Sequence, residues 1–381
     1  AQLFLESLAR CCAPQHIVSR CWTQIPHRRS HQRLKSMPQD PSDSTKPTIY
    51  DVADRAGVAI STVSRVLNNS RDVSDRTREN VLDAIEELQF RPNRTAKSLA
   101  QQSTRTIAVA VPTFTTPFHN ELLKGVRSRL KDIDIDLLLC DLKWAAPEAT
   151  LMNFLNRGAM DGLLLTGLTI TESVRDELVR LGAPVILIGS RCDELDSFYW
   201  DETSGSKMAV EHLIEQGHER IGLITTHHES GLRNARIQGY QEALREAGLP
   251  APDEWIAVGH TEKHAGFSEE SGYEAMQSLF DIDPSLTAVF ATSDVQAIGA
   301  WQAIRHQGMD APGDFALVGY DDIKVSRFIG LSSIAQNMHD VGERAADRLL
   351  GRINSGSIPD AFVSELITPE LIVRKSTQRP E

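Results

Sequence analysis
Aromatic residues make up only 6% of the 381 positions, and no apolar run comes near the roughly 20 residues that a membrane-spanning helix needs. The opening Leu3-Phe-Leu5 cluster is too short and too poorly flanked for a signal peptide. The sequence holds five cysteines, three of them (Cys11, Cys12 and Cys21) near its beginning, and none falls into a C-x-x-C pair. Neither a disulfide framework nor a zinc site is written into that spacing, so a reduced, cytoplasmic setting without metal is expected. Also missing are G-x-G-x-x-G, G-x-x-x-x-G-K-[ST] and G-x-S-x-G, which argues against a nucleotide-dependent enzyme or a serine hydrolase. The pair His227-His228 reads as loop, and no cofactor is expected.

Positive charge is scarce over most of the chain. The net charge is −12; residues 1–45 hold 6 basic and 3 acidic side chains, residues 46–105 hold 10 and 8, and everything beyond is strongly acidic. An acidic surface repels phosphate, which confines any nucleic-acid contact to the N-terminal quarter.

That quarter contains a compact signal. In Thr48-Ile-Tyr-Asp-Val-Ala-Asp-Arg-Ala-Gly57, apolar Ile49, Val52, Ala53 and Ala56 recur at helical spacing, and Thr48 with Asp51 forms a capping box. Gly57 stops this helix. A second, over residues 60–67, turns Val63, Val66 and Leu67 inward and leaves Ile60, Ser61, Thr62, Ser64 and Arg65 outside. Two helices meeting at a glycine turn predict a helix-turn-helix, whose second helix enters the DNA major groove. Ile60 offers only apolar contact, best suited to a thymine methyl. Ser61 is a weak discriminator, and Arg65 reaches guanine or phosphate. Thr62, Ser64 and Asn68 suit phosphate positioning. A third helix begins at Ser74 and places Val81, Ala84, Ile85 and Leu88 on one face, ending at Phe90-Arg-Pro-Asn93 because Pro92 disfavours helix in the residue before it. The short polar segment after it needs a partner surface on which to fold.

Residues 1–45, rich in Gln, His, Arg, Ser and Pro without period, are expected to be disordered, with Met37 as a candidate natural start. From Thr106 on, apolar runs alternate with amphipathic stretches. Runs at 107–111, 135–140, 162–166, 185–189, 221–225, 256–259, 288–292 and 316–319 read as strands, and 121–131, 206–216, 235–247 and 295–307 as helices. This alternation predicts an α/β body of parallel, doubly wound sheets with ligands at the carboxyl ends of the strands. Eight units are too many for one small sheet, so two lobes facing a cleft are expected, with the first boundary near 200–204.

The motif Ile49-Tyr-Asp-Val-Ala-x-x-Ala-Gly-Val-x-x-x-Thr-Val-Ser-Arg-Val-Leu-Asn68 and the hinge Arg91-Pro-Asn-Arg-x-Ala-x-x-Leu-Ala100 resemble the LacI/GalR family of bacterial transcription regulators. Further likeness lies in His212-Leu-Ile-x-x-Gly-His218, Arg236-x-x-Gly-Tyr240, Gly319-Tyr-Asp-Asp322 and Leu371-Ile-Val-Arg-Lys-Ser-Thr377. The resemblance implies a helix-turn-helix domain over 46–90, a hinge over 91–104, and an effector-binding and dimerisation domain over 105–381, two-lobed like a periplasmic sugar-binding protein. It also implies a homodimer on a pseudo-palindromic double-stranded operator, modulated by a small-molecule effector.

Carried over residue by residue, the resemblance adds Tyr50, Asn93, Ala96 and Leu99 to the DNA-contacting set, Leu99 as the side chain wedged into the minor groove. It lines the effector cleft with Phe118, His119, Thr166, residues 189–191 including Arg191, Arg236, Phe267, Ser293 and Asp321. Arg236 and Asp321 suit vicinal hydroxyls, and an aromatic ring suits the apolar face of a sugar. Three departures stand out: Ala59 in place of a serine N-cap, Gly189 where Asp is common, and Ser293 where Asn is common. A sugar or sugar derivative is the expected effector, with a nucleoside or nucleobase as the alternative and a solute-binding protein without regulatory role as a distant third. Whether the effector induces or corepresses stays open. The absence of a heptad tail favours a dimer.

Overall fold
The computed structural model describes residues 47–68, 70–91, 103–158, 160–356 and 361–378. They fall into two compact units, one ending at Arg91 and one beginning at Pro92. The expected N-terminal extension lies outside the described residues, as does most of the hinge, with Asn93, Ala96 and Leu99.

The first unit has three helices, α1 (Ile49–Ala56), α2 (Ile60–Leu67) and α3 (Asp75–Glu87). The Thr48 backbone N–H and hydroxyl both donate to the Asp51 carboxylate at 2.7 Å, starting α1. Gly57, at φ 64°, ends it, and Val58 N–H closes back on the Ala53 carbonyl. Ala59 stands at the N-cap of α2 and provides no side-chain bond. Val52, Ala53, Val63, Val66, Val81, Ala84 and Phe90 form the core. Helix α3 stops at Glu87, earlier than Pro92 would require. Gln89 takes a left-handed φ of 52°, and Phe90 N–H donates to the Ile85 carbonyl, which seats the Phe90 ring in the core.

The second unit has two sheets. In the first, β1 (Thr106–Val111), β2 (Asp136–Asp141), β3 (Gly162–Thr166), β4 (Val185–Ile188), β5 (Asp196–Trp200) and β11 (Ser364–Ile367) lie in the order β11-β5-β4-β3-β1-β2, all parallel. In the second, β6 (Ile221–Thr225), β7 (Ile256–Val258), β8 (Ala288–Ala291), β9 (Ala316–Asp321), β10 (Ser332–Ala335) and β12 (Glu370–Ile372) run β12-β10-β9-β8-β6-β7, and only β12 is antiparallel to its neighbour. The chain crosses between lobes after Trp200, after Ala335 and after Ile367.

Helices cover both faces of each sheet, so strands such as β4 and β8 are apolar on both faces. In the first lobe, α4 (Pro117–Leu130) and α12 (Met338–Ser355) bury Ile107, Val109 and Ile186, while α5 (Pro147–Leu155) and α6 (Glu172–Arg180) bury Ala108, Leu163 and Leu187. In the second lobe, α7 (Glu202–Glu215) and α8 (Gly231–Glu246) cover one face, and α9 (Glu269–Ile282) and α10 (Asp294–His306) the other. Strands β5, β10, β11 and β12, absent from the expected set, complete the sheets. A short helix, α11 (Lys324–Ile329), follows β9.

Candidate functional site
In the first unit, the outer face of α2 is open. Ile60 keeps 39% of its surface exposed, and Ser61 and Arg65 are exposed as well, while Val63 and Val66 fill the core. Thr62 and Ser64 are half-buried, Asn68 is exposed, and Tyr50 on α1 is 65% exposed. A β-branched apolar side chain left in solvent at the start of a helix gains nothing for folding, and suits apolar contact with another surface.

The second unit holds a cleft where the carboxyl ends of the two sheets face each other. Phe118 and His119 reach it from the start of α4, Thr166 from the end of β3, Arg236 from α8, Phe267 from the loop before α9, Ser293 from the end of β8 and Asp321 from the end of β9. Seven of the eight expected effector residues therefore share one cavity. Arg191 is not among its lining residues. Strand β4 ends at Ile188, Gly189 turns the chain at φ 83°, and the Arg191 side chain pairs with Asp193 at 3.4 Å and lies over the Tyr199 ring.

Arg236 is 2% exposed, and two of its three guanidinium nitrogens are hydrogen-bonded. Its Nε donates to Glu202 Oε2 at 2.8 Å, its Nη1 to the Thr292 carbonyl, and the guanidinium stacks 3.7 Å from the centre of the Tyr320 ring. Burial alone would weaken its protonation; the Glu202 carboxylate outweighs that, aided by Tyr320 and Asp321, and raises the pKa. Glu202 also accepts from Gln336 Nε2 at 3.0 Å, so one carboxylate ties two crossover segments together. Asp321, at a strained φ of 106°, carries a carboxylate to which no hydrogen bond is found among the described residues. Burial drives its pKa well above the carboxylate range, against the pull of Arg236.

His119 Nδ1 shares a proton with Thr116 Oγ1 at 2.7 Å, and burial, with His264 nearby, lowers its pKa to about 4, so the ring is neutral at pH 7. Ser293 serves as N-cap of α10, accepting from Gln296 N–H at 3.3 Å. Below the cleft, Asp294 accepts from Ile323 N–H, Ser326 Oγ and Ser333 Oγ at 2.8, 2.6 and 2.6 Å. Burial raises its pKa to about 7.

Sequence reasoning missed Trp144, Trp200, Glu202 and Gln336, all of which line the cavity. Trp144 stands in the loop after β2, a strand end that the carboxyl-edge rule points to. Glu202 and Gln336 flank lobe crossovers, which became visible only with the topology. Among the described residues no cluster of His, Cys, Asp or Glu could hold a metal, and no helix is long and apolar enough to cross a membrane.

Comparison with known proteins agrees with this arrangement. Residues 48–93 match the profile of bacterial regulatory proteins of the lacI family, and residues 210–377 that of a periplasmic binding protein-like domain. The HTH-type transcriptional repressor PurR of Mannheimia succiniciproducens is 32% identical over 338 residues, covering 87% of this chain and 99% of that protein. The chain belongs to the LacI family. Members of this family regulate transcription by binding DNA; this chain is such a regulator and not an enzyme. Among solved LacI-family structures, the lac repressor dimer bound to operator and the anti-inducer ONPF superposes with a TM-score of 0.72 at 26% identity, over 87% of this chain and 99% of that one. The transcriptional regulator CelR in complex with cellobiose gives a TM-score of 0.62 at 31% identity, over 87% and 99%.

Proposed function
We propose that this protein is a cytoplasmic, homodimeric repressor whose affinity for a pseudo-palindromic operator is set by a sugar or sugar derivative held in the cleft. The observation that carries the reading is the pairing of an exposed reading helix, with Ile60, Ser61 and Arg65 outward, and a separate body whose cleft gathers Phe118, Trp144, Phe267, Arg236 and Asp321. Aromatic faces beside a carboxylate suit a ring that is apolar on its face and hydroxylated on its edge. CelR, with its cellobiose, supports the same reading. The dimer is supported by apolar surface that a monomer gains nothing by exposing. Leu137, Leu138 and Leu139 on edge strand β2 are 37%, 42% and 41% exposed, and Phe328 on α11 is 79% exposed.

In this mechanism effector binding changes lobe closure, which shifts the dimer interface and decides whether the two hinges fold on DNA. That is coupling through a two-state element, reciprocal by linkage. A second reading, a nucleobase effector, is favoured by the PurR relative. Selection from random duplexes, followed by operator titration with sugars and with hypoxanthine, tests both. Recovery of inverted repeats whose binding responds to a sugar is expected. Single, non-repeated sites would sink the dimer, and a response to hypoxanthine alone would replace the sugar.

A further inference from the structure
Two buried polar atoms in the cleft wall find no partner among the described residues: the indole Nε1 of Trp144 and the amide Oε1 of Gln336. A buried donor or acceptor left unpaired costs folding free energy, and its persistence in a cleft is what a ligand or ordered water would repay. One atom offers a proton and the other seeks one. Asp321 also lines the cavity, and its carboxyl has no hydrogen bond among the described residues. A hydroxyl satisfies either kind, since it donates one proton and accepts at its lone pairs.

Charge narrows the ligand further. Arg236 is the sole Arg or Lys among the described lining residues, and its Nε and Nη1 are already bonded to Glu202 and Thr292. Two carboxyl groups, Asp321 and Glu202, face the same space. A phosphate ester would enter a low-dielectric site whose one lining cation already has its charge paired with Glu202.

Trp144 has a second relationship. It stands on the first lobe, yet its ring lies 6.0 Å from His228 and 6.1 Å from Phe267, both on the second. A ligand bonded to this indole is therefore attached to an aromatic contact that joins the two lobes.

Resting on the sugar reading above, we propose that the effector is a neutral, unphosphorylated polyhydroxylated ring, and that Trp144 selects it by donating its indole N–H to a ligand oxygen while Gln336 accepts from a ligand hydroxyl. Because Trp144 also packs against the opposite lobe, the same residue links occupancy to closure.

The test is calorimetric titration of the full chain, unaltered and as Trp144→Phe, with cellobiose, ribose, glucose 6-phosphate and hypoxanthine. Trp144→Phe keeps an aromatic face and removes the N–H. A neutral sugar should bind, glucose 6-phosphate should bind more weakly than that sugar, and Trp144→Phe should weaken the sugar about 5- to 10-fold. Equal affinity in Trp144→Phe, or tighter binding of the phosphate ester, overturns the inference while leaving the sugar reading intact. Binding of hypoxanthine alone, or of none of the four, overturns the sugar reading and this inference with it. Should Trp144→Phe fail to fold, the indole 15N–1H spectrum of the unaltered protein carries the test: a bound sugar that shifts no indole resonance refutes the donation.

Discussion

Glu202 and Arg236 meet at 2.8 Å beneath the cleft, with the arginine 2% exposed and its guanidinium 3.7 Å from the centre of the Tyr320 ring. Glu202 stands just past the first lobe crossover and Arg236 on α8, so the pair ties that crossover to the cavity wall. Glu202→Ala strands a buried cation, which is expected to cost about 3–5 kcal/mol. In urea titration the midpoint should fall without a change in slope. Adding Arg236→Met should restore part of the loss, because an apolar side chain needs no counter-charge. A cost for Glu202→Ala within about 0.5 kcal/mol, typical of exposed surface changes, would mean the pair is open to solvent.

The stability of the body should depend on pH through His119 and Asp294 in opposite senses. His119 falls from 6.5 to about 4 on folding, so the unfolded chain takes up its proton first as pH drops. The contribution is intact above pH 6.5 and is lost on descending to about 4, by about 3 kcal/mol at most. Asp294 rises from 3.8 to about 7, so its contribution is intact below pH 3.8 and is lost as pH climbs to about 7. Across the shared window the two trends oppose each other. Subtracting the stability curve of His119→Gln from that of the unaltered protein should leave a difference that grows in favour of the native histidine between pH 4 and 6.5. A flat difference would show that the ring titrates normally.

Two glycines on one helix should respond oppositely to alanine. Gly342 on α12 packs so closely on α4 that a Cβ would overlap the Leu122 carbonyl, and Gly125 meets the His339 carbonyl in the same way across the interface. Gly351, on the same helix, has nothing within 4 Å of its Cβ position. Gly342→Ala should therefore destabilise by about 1–3 kcal/mol through forced separation of the helices. Gly351→Ala should stabilise by about 0.5–1 kcal/mol by restricting the unfolded chain. Thermal denaturation of the two variants decides it, and a shared sign would refute the packing assignment.

The fold was legible where burial on both faces makes a strand continuously apolar, as in Leu163-Leu164-Leu165 of β3 or Val289-Phe290-Ala291 of β8. It was not legible in β10. That strand reads Ser332-Ser-Ile-Ala335 and is fully buried because its hydroxyls are bonded, Ser332 to the Arg374 carbonyl and Ser333 to Asp294. Such partners are set by tertiary contacts that no local pattern announces. Within the cleft, side chains at strand ends could be placed from the alternation of strands and helices together with the family resemblance. Arg191 was misplaced because Gly189 turns the chain one residue after β4. Glu202 and Gln336 sit 134 residues apart and are joined by one hydrogen bond across two crossovers, a proximity that only the topology creates.

Ile60 gives the sharpest test of DNA reading, since its exposure separates folding from binding. At 39% exposed it contributes little to the small core formed by Val52, Val63, Val66 and Val81, so Ile60→Ala should change the melting temperature of the first unit negligibly. Its apolar contact suits a thymine methyl, and losing it should weaken a selected operator by about 1–3 kcal/mol at one base pair of each half-site, with the preference at that position relaxed. Arg65→Ala separates the two roles open to that side chain. If Arg65 holds phosphate, affinity should drop uniformly across operator variants and the slope of log affinity against log salt should flatten by about 1. If it reads guanine, the loss should fall on one position. Titration of both variants against a panel of singly substituted operators, at two salt concentrations, distinguishes these outcomes. An Ile60→Ala protein that keeps full affinity and specificity would remove α2's leading residue from the reading face.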